Sequence, residues 1–155
     1  MTPAVNIAKK LKLDFNLHQY QHDPNAESYG QEAAEKLGIN SEQVFKTLVA
    51  EKDTGELIVA IVPVDKQLSF KLLAKAAKCK KVQMAKPEHV QKSTGYVLGG
   101  VSPLGQKKRL PTFIDESANS FDTVFVSGGK RGLEIELSPQ ELCQSLNGTF
   151  APLAS

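Results

Sequence analysis

Tryptophan is absent from this 155-residue sequence, aromatic residues make up only 6%, and cysteine occurs twice. So few aromatics argue against a sheet that holds RNA bases by stacking them on an exposed platform. Cys79 and Cys143 lie far apart, no Cys-x-x-Cys is present, and His18, His22 and His89 lack ligand spacing. A disulfide framework and a structural zinc site are therefore not expected, and no metal or cofactor is assigned. No apolar stretch is long enough for a signal peptide or a membrane helix, so a cytoplasmic protein without a membrane partner is expected. Charge of one sign is also scarce: 19 cations stand against 17 acids, a net of +2. That excess is too small for tight binding to arbitrary nucleic acid by counterion release. Any RNA contact should be local, weak or helped by a partner.

What remains is a soluble globular composition, 41% hydrophobic, of a length that fits one domain over residues 1–155. Thr2 caps a helix with Pro3 at its first position, and Phe15–Tyr20 alternates like a strand. Ser28-x-x-Gln31 opens a helix that Gly38 ends, and a turn near 41–43 leads into a strand over 44–51. Asp53–Glu56 turns into Leu57–Val64, an apolar run with the character of a central buried strand. Ser69 caps a helix burying Leu72, Leu73, Ala76 and Ala77. A short strand over 81–84 and a helix from Pro87 follow. Further strands are expected at Tyr96–Leu98, Leu110–Asp115, Thr123–Val126 and Leu133–Leu137, before a helix that Ser138 caps and Asn147-Gly148 stop. Regular βαβ alternation is missing. The expected class is α+β, with a mixed, curled or barrel-like sheet surrounded by helices.

Two glycine-rich turns carry the chemistry. Gly99-Gly100-Val101-Ser102-Pro103-Leu104-Gly105 and Ser127-Gly128-Gly129-Lys130-Arg131-Gly132 each combine closely approachable amides with nearby cations. Together they fit a pocket that grips an anionic or carbonyl-bearing ligand. Lys46 shares a strand face with Val44, Leu48 and Ala50. It is either an edge-strand lysine that blocks aggregation or an ammonium at the mouth of an apolar cavity. Glu134 and Glu136 project to one side of their strand, ordinarily the solvent side. Glu134, two residues past the second turn, can instead meet a ligand's ammonium. Tyr20 and Tyr29 can wall a pocket. Gly100–Lys107 superficially resembles a P-loop, but its lysine comes one residue late and no Ser or Thr follows.

These blocks, with Ser93-Thr94-Gly95-Tyr96 and Val44-Phe45-Lys46-Thr47-Leu48, resemble the YbaK/EbsC family over nearly the whole chain, and in particular its Cys-tRNA(Pro) deacylase branch. That family is related to the editing domain of bacterial prolyl-tRNA synthetases. The resemblance implies an aminoacyl-tRNA deacylase acting in trans on mischarged tRNA. Lys46 would hold the acylated 3′ end, and Gly99 to Pro103 match a Gly-x-x-x-Pro loop whose amides face the ester. Gly100, Val101 and Ser102 would then stabilise the oxyanion. Thr47, Tyr20, Tyr29, Ser127, Gly128, Gly129 and Glu134 fall with the substrate-binding positions, Glu134 where Asp is more usual. The implied chemistry is attack by the substrate's own thiol, which needs no protein nucleophile. The implied partners are the aminoacylated tRNA 3′ end and, transiently, prolyl-tRNA synthetase. Two other readings stay open: a non-catalytic RNA-binding module, and a deacylase that removes alanine from tRNA(Pro) by water attack.

Overall fold

Capping residues set where the helices begin. Thr2, Ser28, Ser69 and Ser138 each accept a hydrogen bond from the amide three residues on, relieving one of the unpaired donors of a first turn. The computed structural model describes residues 1–26 and 28–155. Its helices are α1 (Pro3–Lys10), α2 (Tyr29–Leu37), α3 (Phe70–Ala77), α4 (Pro87–Thr94) and α5 (Pro139–Leu146). Gly38, Lys78, Gly95 and Asn147 end α2 to α5 in the left-handed conformation.

The strands are β1 (Phe15–Gln19), β2 (Phe45–Lys52), β3 (Leu57–Pro63), β4 (Val82–Met84), β5 (Thr112–Asp115), β6 (Val124–Ser127), β7 (Leu133–Leu137) and β8 (Thr149–Ala151). They form a three-stranded sheet in the order β1-β7-β6 and a five-stranded sheet in the order β4-β2-β3-β5-β8. The smaller sheet is antiparallel, whereas β5 runs parallel to both β3 and β8. The mixed sheet flanked by helices is the expected architecture, but it is not a closed barrel. A bridge between Val44 and Phe125 joins the two sheets.

The apolar run of β3 is buried on both faces, as its lack of alternation predicts. Val59 and Ile61 pack with Leu133, Ile135 and Leu137 of β7. Ile58, Ala60 and Val62 pack with Leu73 and Ala74 of α3 and with Leu153. Two local expectations are corrected, and one strand was not foreseen. Tyr96–Leu98 is not a strand: Tyr96 is buried with its hydroxyl on the Leu104 carbonyl at 2.6 Å, while Val97 and Leu98 stand 59% and 52% exposed. In α3, Ala74 is buried where Leu72, Ala76 and Ala77 are only half-buried. β8 was unanticipated, because three residues pairing with a strand 36 positions earlier leave no local pattern.

Candidate active site

β2 and β6 run parallel through the Val44–Phe125 bridge, and two residues further along each strand stand Lys46 and Ser127. No pairing continues there. The gap between the sheets opens into a cavity of about 320 Å³, which Lys46, Thr47 and Ser127 line. Glu134 of β7 enters from beside Ser127, its cross-strand partner. Tyr20, just past β1, and Tyr29, at the start of α2, add aromatic walls, and Leu98, Gly99 and Val101 of the first glycine turn complete the rim. Chain segments separated by more than a hundred residues thus supply one hollow.

Not all of its polar groups are satisfied by the protein. The hydroxyl of Thr47 is buried without a hydrogen-bond partner among the described residues. The protein itself leaves that group's desolvation uncompensated, a cost that a ligand could offset. Glu134 is 7% exposed, and burial pushes its carboxyl up to about 8. Near neutral pH the protonated form is therefore favoured. Burial also lowers the affinity of the Lys46 amine for its proton, against the opposing pull of Asp65, and Nζ donates to the Lys66 carbonyl at 2.9 Å. Burial raises the Tyr20 hydroxyl as well, and the Glu134 charge adds to that.

Tyr29 is held from several sides. The Arg131 guanidinium lies 3.8 Å from its ring centre, a cation–π contact, and His22 meets it edge-on at 5.7 Å. His22 is fixed in turn, its Nδ1 donating to Glu32 at 2.7 Å. Burial alone would raise the Glu32 carboxyl, but hydrogen bonds from His22, the Asp23 amide and Lys36 hold it below its ordinary value. On its remaining side the Tyr29 ring presses on Gly99. A β-carbon at Gly99 would collide with that ring and approach Arg131 Nε to 3.1 Å, and its φ of +87° also requires glycine.

Of the positions singled out in the sequence, Lys46, Thr47, Tyr20, Tyr29, Gly99, Val101, Ser127 and Glu134 meet around the cavity. Gly100, Ser102, Pro103, Gly128 and Gly129 do not line it. The expectation that Gly100 offers its amide is corrected: that N–H closes a turn on the Val97 carbonyl at 3.0 Å. Likewise the Gly128 amide is taken by the Leu133 carbonyl and the Gly129 amide by the Ser127 hydroxyl. Ser102 is fully buried, its hydroxyl accepting from the Leu104 amide, and Pro103 lines a separate hollow beside α1 and α5. Among the described residues, the Val101 amide has no acceptor. Sequence reasoning passed over Lys130, Arg131 and Leu98 as site residues. The cations beside the second glycine turn were visible, but their aim at the cavity is not a local property.

The profile of the aminoacyl-tRNA editing domain family matches residues 23–144. The chain belongs to that family. This editing-domain protein is 36% identical over 154 residues to EbsC of Enterococcus faecalis, described as a candidate Cys-tRNA(Pro)/Cys-tRNA(Cys) deacylase, covering 99% of the chain and 93% of EbsC. It is 35% identical over 79 residues to a proline–tRNA ligase of Moorella thermoacetica, 51% of the chain and 13% of that enzyme. A crystal structure described as a candidate trans-editing enzyme for prolyl-tRNA synthetase superposes with a TM-score of 0.85 at 23% identity. That match covers 100% of the chain and 98% of the other, and it shows the shared fold.

Proposed function

We propose that residues 1–155 act as one cytoplasmic editing module that hydrolyses the ester of cysteine mischarged onto tRNA(Pro), working in trans beside prolyl-tRNA synthetase. One observation carries this reading: a small cavity gathers an amine, a buried carboxyl and an unpartnered hydroxyl, while neither cysteine and no histidine lines it. Its volume, about 320 Å³, lies at the small end for ligand sites and suits a short acyl group on a terminal ribose. Cysteine is close to proline in size, so a synthetase pocket shaped for proline discriminates poorly and a second site must remove the error.

In this reading the Lys46 ammonium anchors the phosphate or ribose of the terminal nucleotide at the cavity mouth. The α-ammonium of the acyl group meets Glu134 and draws its carboxyl into the ionised form. With both ends held, the substrate's thiolate is folded back on its own carbonyl. A thiol of ordinary pKa, about 8.5, is already partly ionised near neutrality. The C–S bond forms, the C–O bond to the ribose breaks, and the released 3′ oxygen takes up the proton that the thiol lost. The products are a cyclic thioester, which water then opens, and free tRNA. In this reading the Val101 amide is the donor for the developing oxyanion: of the expected set, Val101 is the residue that lines the cavity, and its amide has no acceptor among the described residues. Holding sulfur near carbonyl can contribute several kcal/mol, up to about 7–11 in ideal geometry.

The test is deacylation of cysteinyl-tRNA(Pro) and alanyl-tRNA(Pro) side by side. Cleavage of the cysteine ester alone is expected. Cleavage of the alanine ester at a similar rate would replace thiol attack by water attack, and cleavage of neither would leave an RNA-binding module. Replacing Cys79 and Cys143 together with alanine should leave turnover within about twofold, because both lie outside the cavity.

A further inference from the structure

The net charge of +2 conceals a separation of charges. Residues 66–86 hold seven of the 19 cations, Lys66, Lys71, Lys75, Lys78, Lys80, Lys81 and Lys86, and none of the 17 carboxylates. All seven are exposed, and none has a carboxylate partner within 4.0 Å among the described residues. Lysine on a free sheet edge guards against aggregation, which accounts for Lys81 and Lys86 beside the edge strand β4. It does not account for Lys71, Lys75 and Lys78. Those lie at successive spacings of four and three along α3, one above another on its outer side.

Their position relative to the cavity is set by β2. Lys46, Leu48 and Ala50 point to one face of that strand. Ala50 and Leu48 pack in the same apolar cluster as Leu73 and Ala74 of α3, so α3 covers the face on which Lys46 stands. The Lys46 amine bonds the carbonyl of Lys66, three residues before the α3 cap. From there α3 runs about 12 Å to its end at Lys78, toward β4, which pairs with Ala50–Lys52 at the far end of β2. The lysines therefore continue outward from the cavity's own cation.

We infer that Lys66, Lys71, Lys75, Lys78 and Lys80 form a track for the phosphate backbone of the RNA whose 3′ end enters the cavity. The inference rests on the reading of the cavity as the seat of an acylated RNA terminus. An unpaired row of ammonium groups leading away from such a site matches a polyanion that must extend away from it. RNA is favoured over an acidic protein surface because the row follows from the cavity's own lysine and only two large apolar side chains of this segment, Phe70 and Met84, are exposed, whereas protein interfaces bury apolar cores. Tight arbitrary binding remains unneeded: the row is short and its contacts are screened by salt.

The experiment compares the full-length protein with a variant in which Lys71, Lys75, Lys78 and Lys80 become glutamine, and with a second in which all four become arginine. Binding of uncharged tRNA(Pro) is measured against salt, and deacylation is measured on the cysteinyl ester of a CCA trinucleotide. The glutamine variant should bind tRNA at least roughly tenfold more weakly, with the slope of log K on log salt reduced by about 3, near 0.7–0.9 for each lost phosphate contact. The arginine variant should bind like the parent, and all three should cleave the trinucleotide ester equally. Unchanged tRNA affinity and slope in the glutamine variant would overturn the track. So would selective loss of binding to polyglutamate with tRNA binding intact. Failure of the parent itself to cleave the trinucleotide ester would count against the cavity's function, independently of the tRNA-binding result.

Discussion

The two halves of β2 share β3 as a neighbour and differ at the other edge. From Ala50 to Lys52 the strand is paired with β4, and Val49 and Ala50 are buried among apolar side chains. From Phe45 to Leu48 that edge has no ladder among the described residues, and Lys46 and Thr47 line the gap together with Ser127. The paired end is therefore core and the open end a site, within eight residues. The difference teaches where polar groups can be left unsatisfied. Among the described residues, the open edge holds a buried hydroxyl without a partner, which a ligand can complete, whereas the paired half carries no hydroxyl at all.

Substitutions sharpen that contrast. Lys46→Ala should lower deacylation by at least about 100-fold while moving the unfolding free energy by under about 1 kcal/mol, since the side chain is half-buried and makes one hydrogen bond. A urea titration beside a single-turnover assay reads both. Glu134→Gln comes next. The folded chain holds that proton more tightly than the unfolded chain between the ordinary value of 4.5 and about 8. Stability thus declines as pH rises through this window, by an amount on the order of a few kcal/mol, and levels off above it. The glutamine variant should lose this decline, so melting curves from pH 5 to 9 should cross, with the variant more stable at the alkaline end and less active throughout. Val49→Ala should do the reverse of Lys46→Ala, costing about 2 kcal/mol of stability while leaving activity per folded molecule unchanged. The smallest effect is expected for Thr47→Val, which removes the orphaned hydroxyl at constant shape. Stability should rise by about 1 kcal/mol as activity falls several-fold. A loss of stability there would mean that the hydroxyl is satisfied without ligand.

Local rules made much of this molecule legible. Four caps, the left-handed stops at Gly38 and Asn147, and the limits of β7 follow from residues within a few positions of one another. What escaped was set by distant partners. The alternation of Leu133–Leu137 correctly gave an apolar and an acidic side, but Glu134 on the acidic side shares a cavity with Tyr20 and with residues of α2 and β2. Val97 and Leu98 have strand-forming side chains and no strand to pair with. Both glycine turns were visible, yet which of their amides remain free depends on Val97, Leu133 and Ser127 as acceptors. The total charge likewise hid its arrangement, since a sum of +2 is compatible with an acid-free segment of seven lysines.

The most direct test of the central claim, that the open half of β2 lets a cysteinyl ester cleave itself, is the mass of the first product released in a single turnover of cysteinyl-tRNA(Pro). The account predicts a species lighter than cysteine by one water, the cyclic thioester, appearing before free cysteine and absent with Lys46→Ala. Free cysteine formed directly, carrying oxygen from labelled water at the moment of tRNA release, would contradict it.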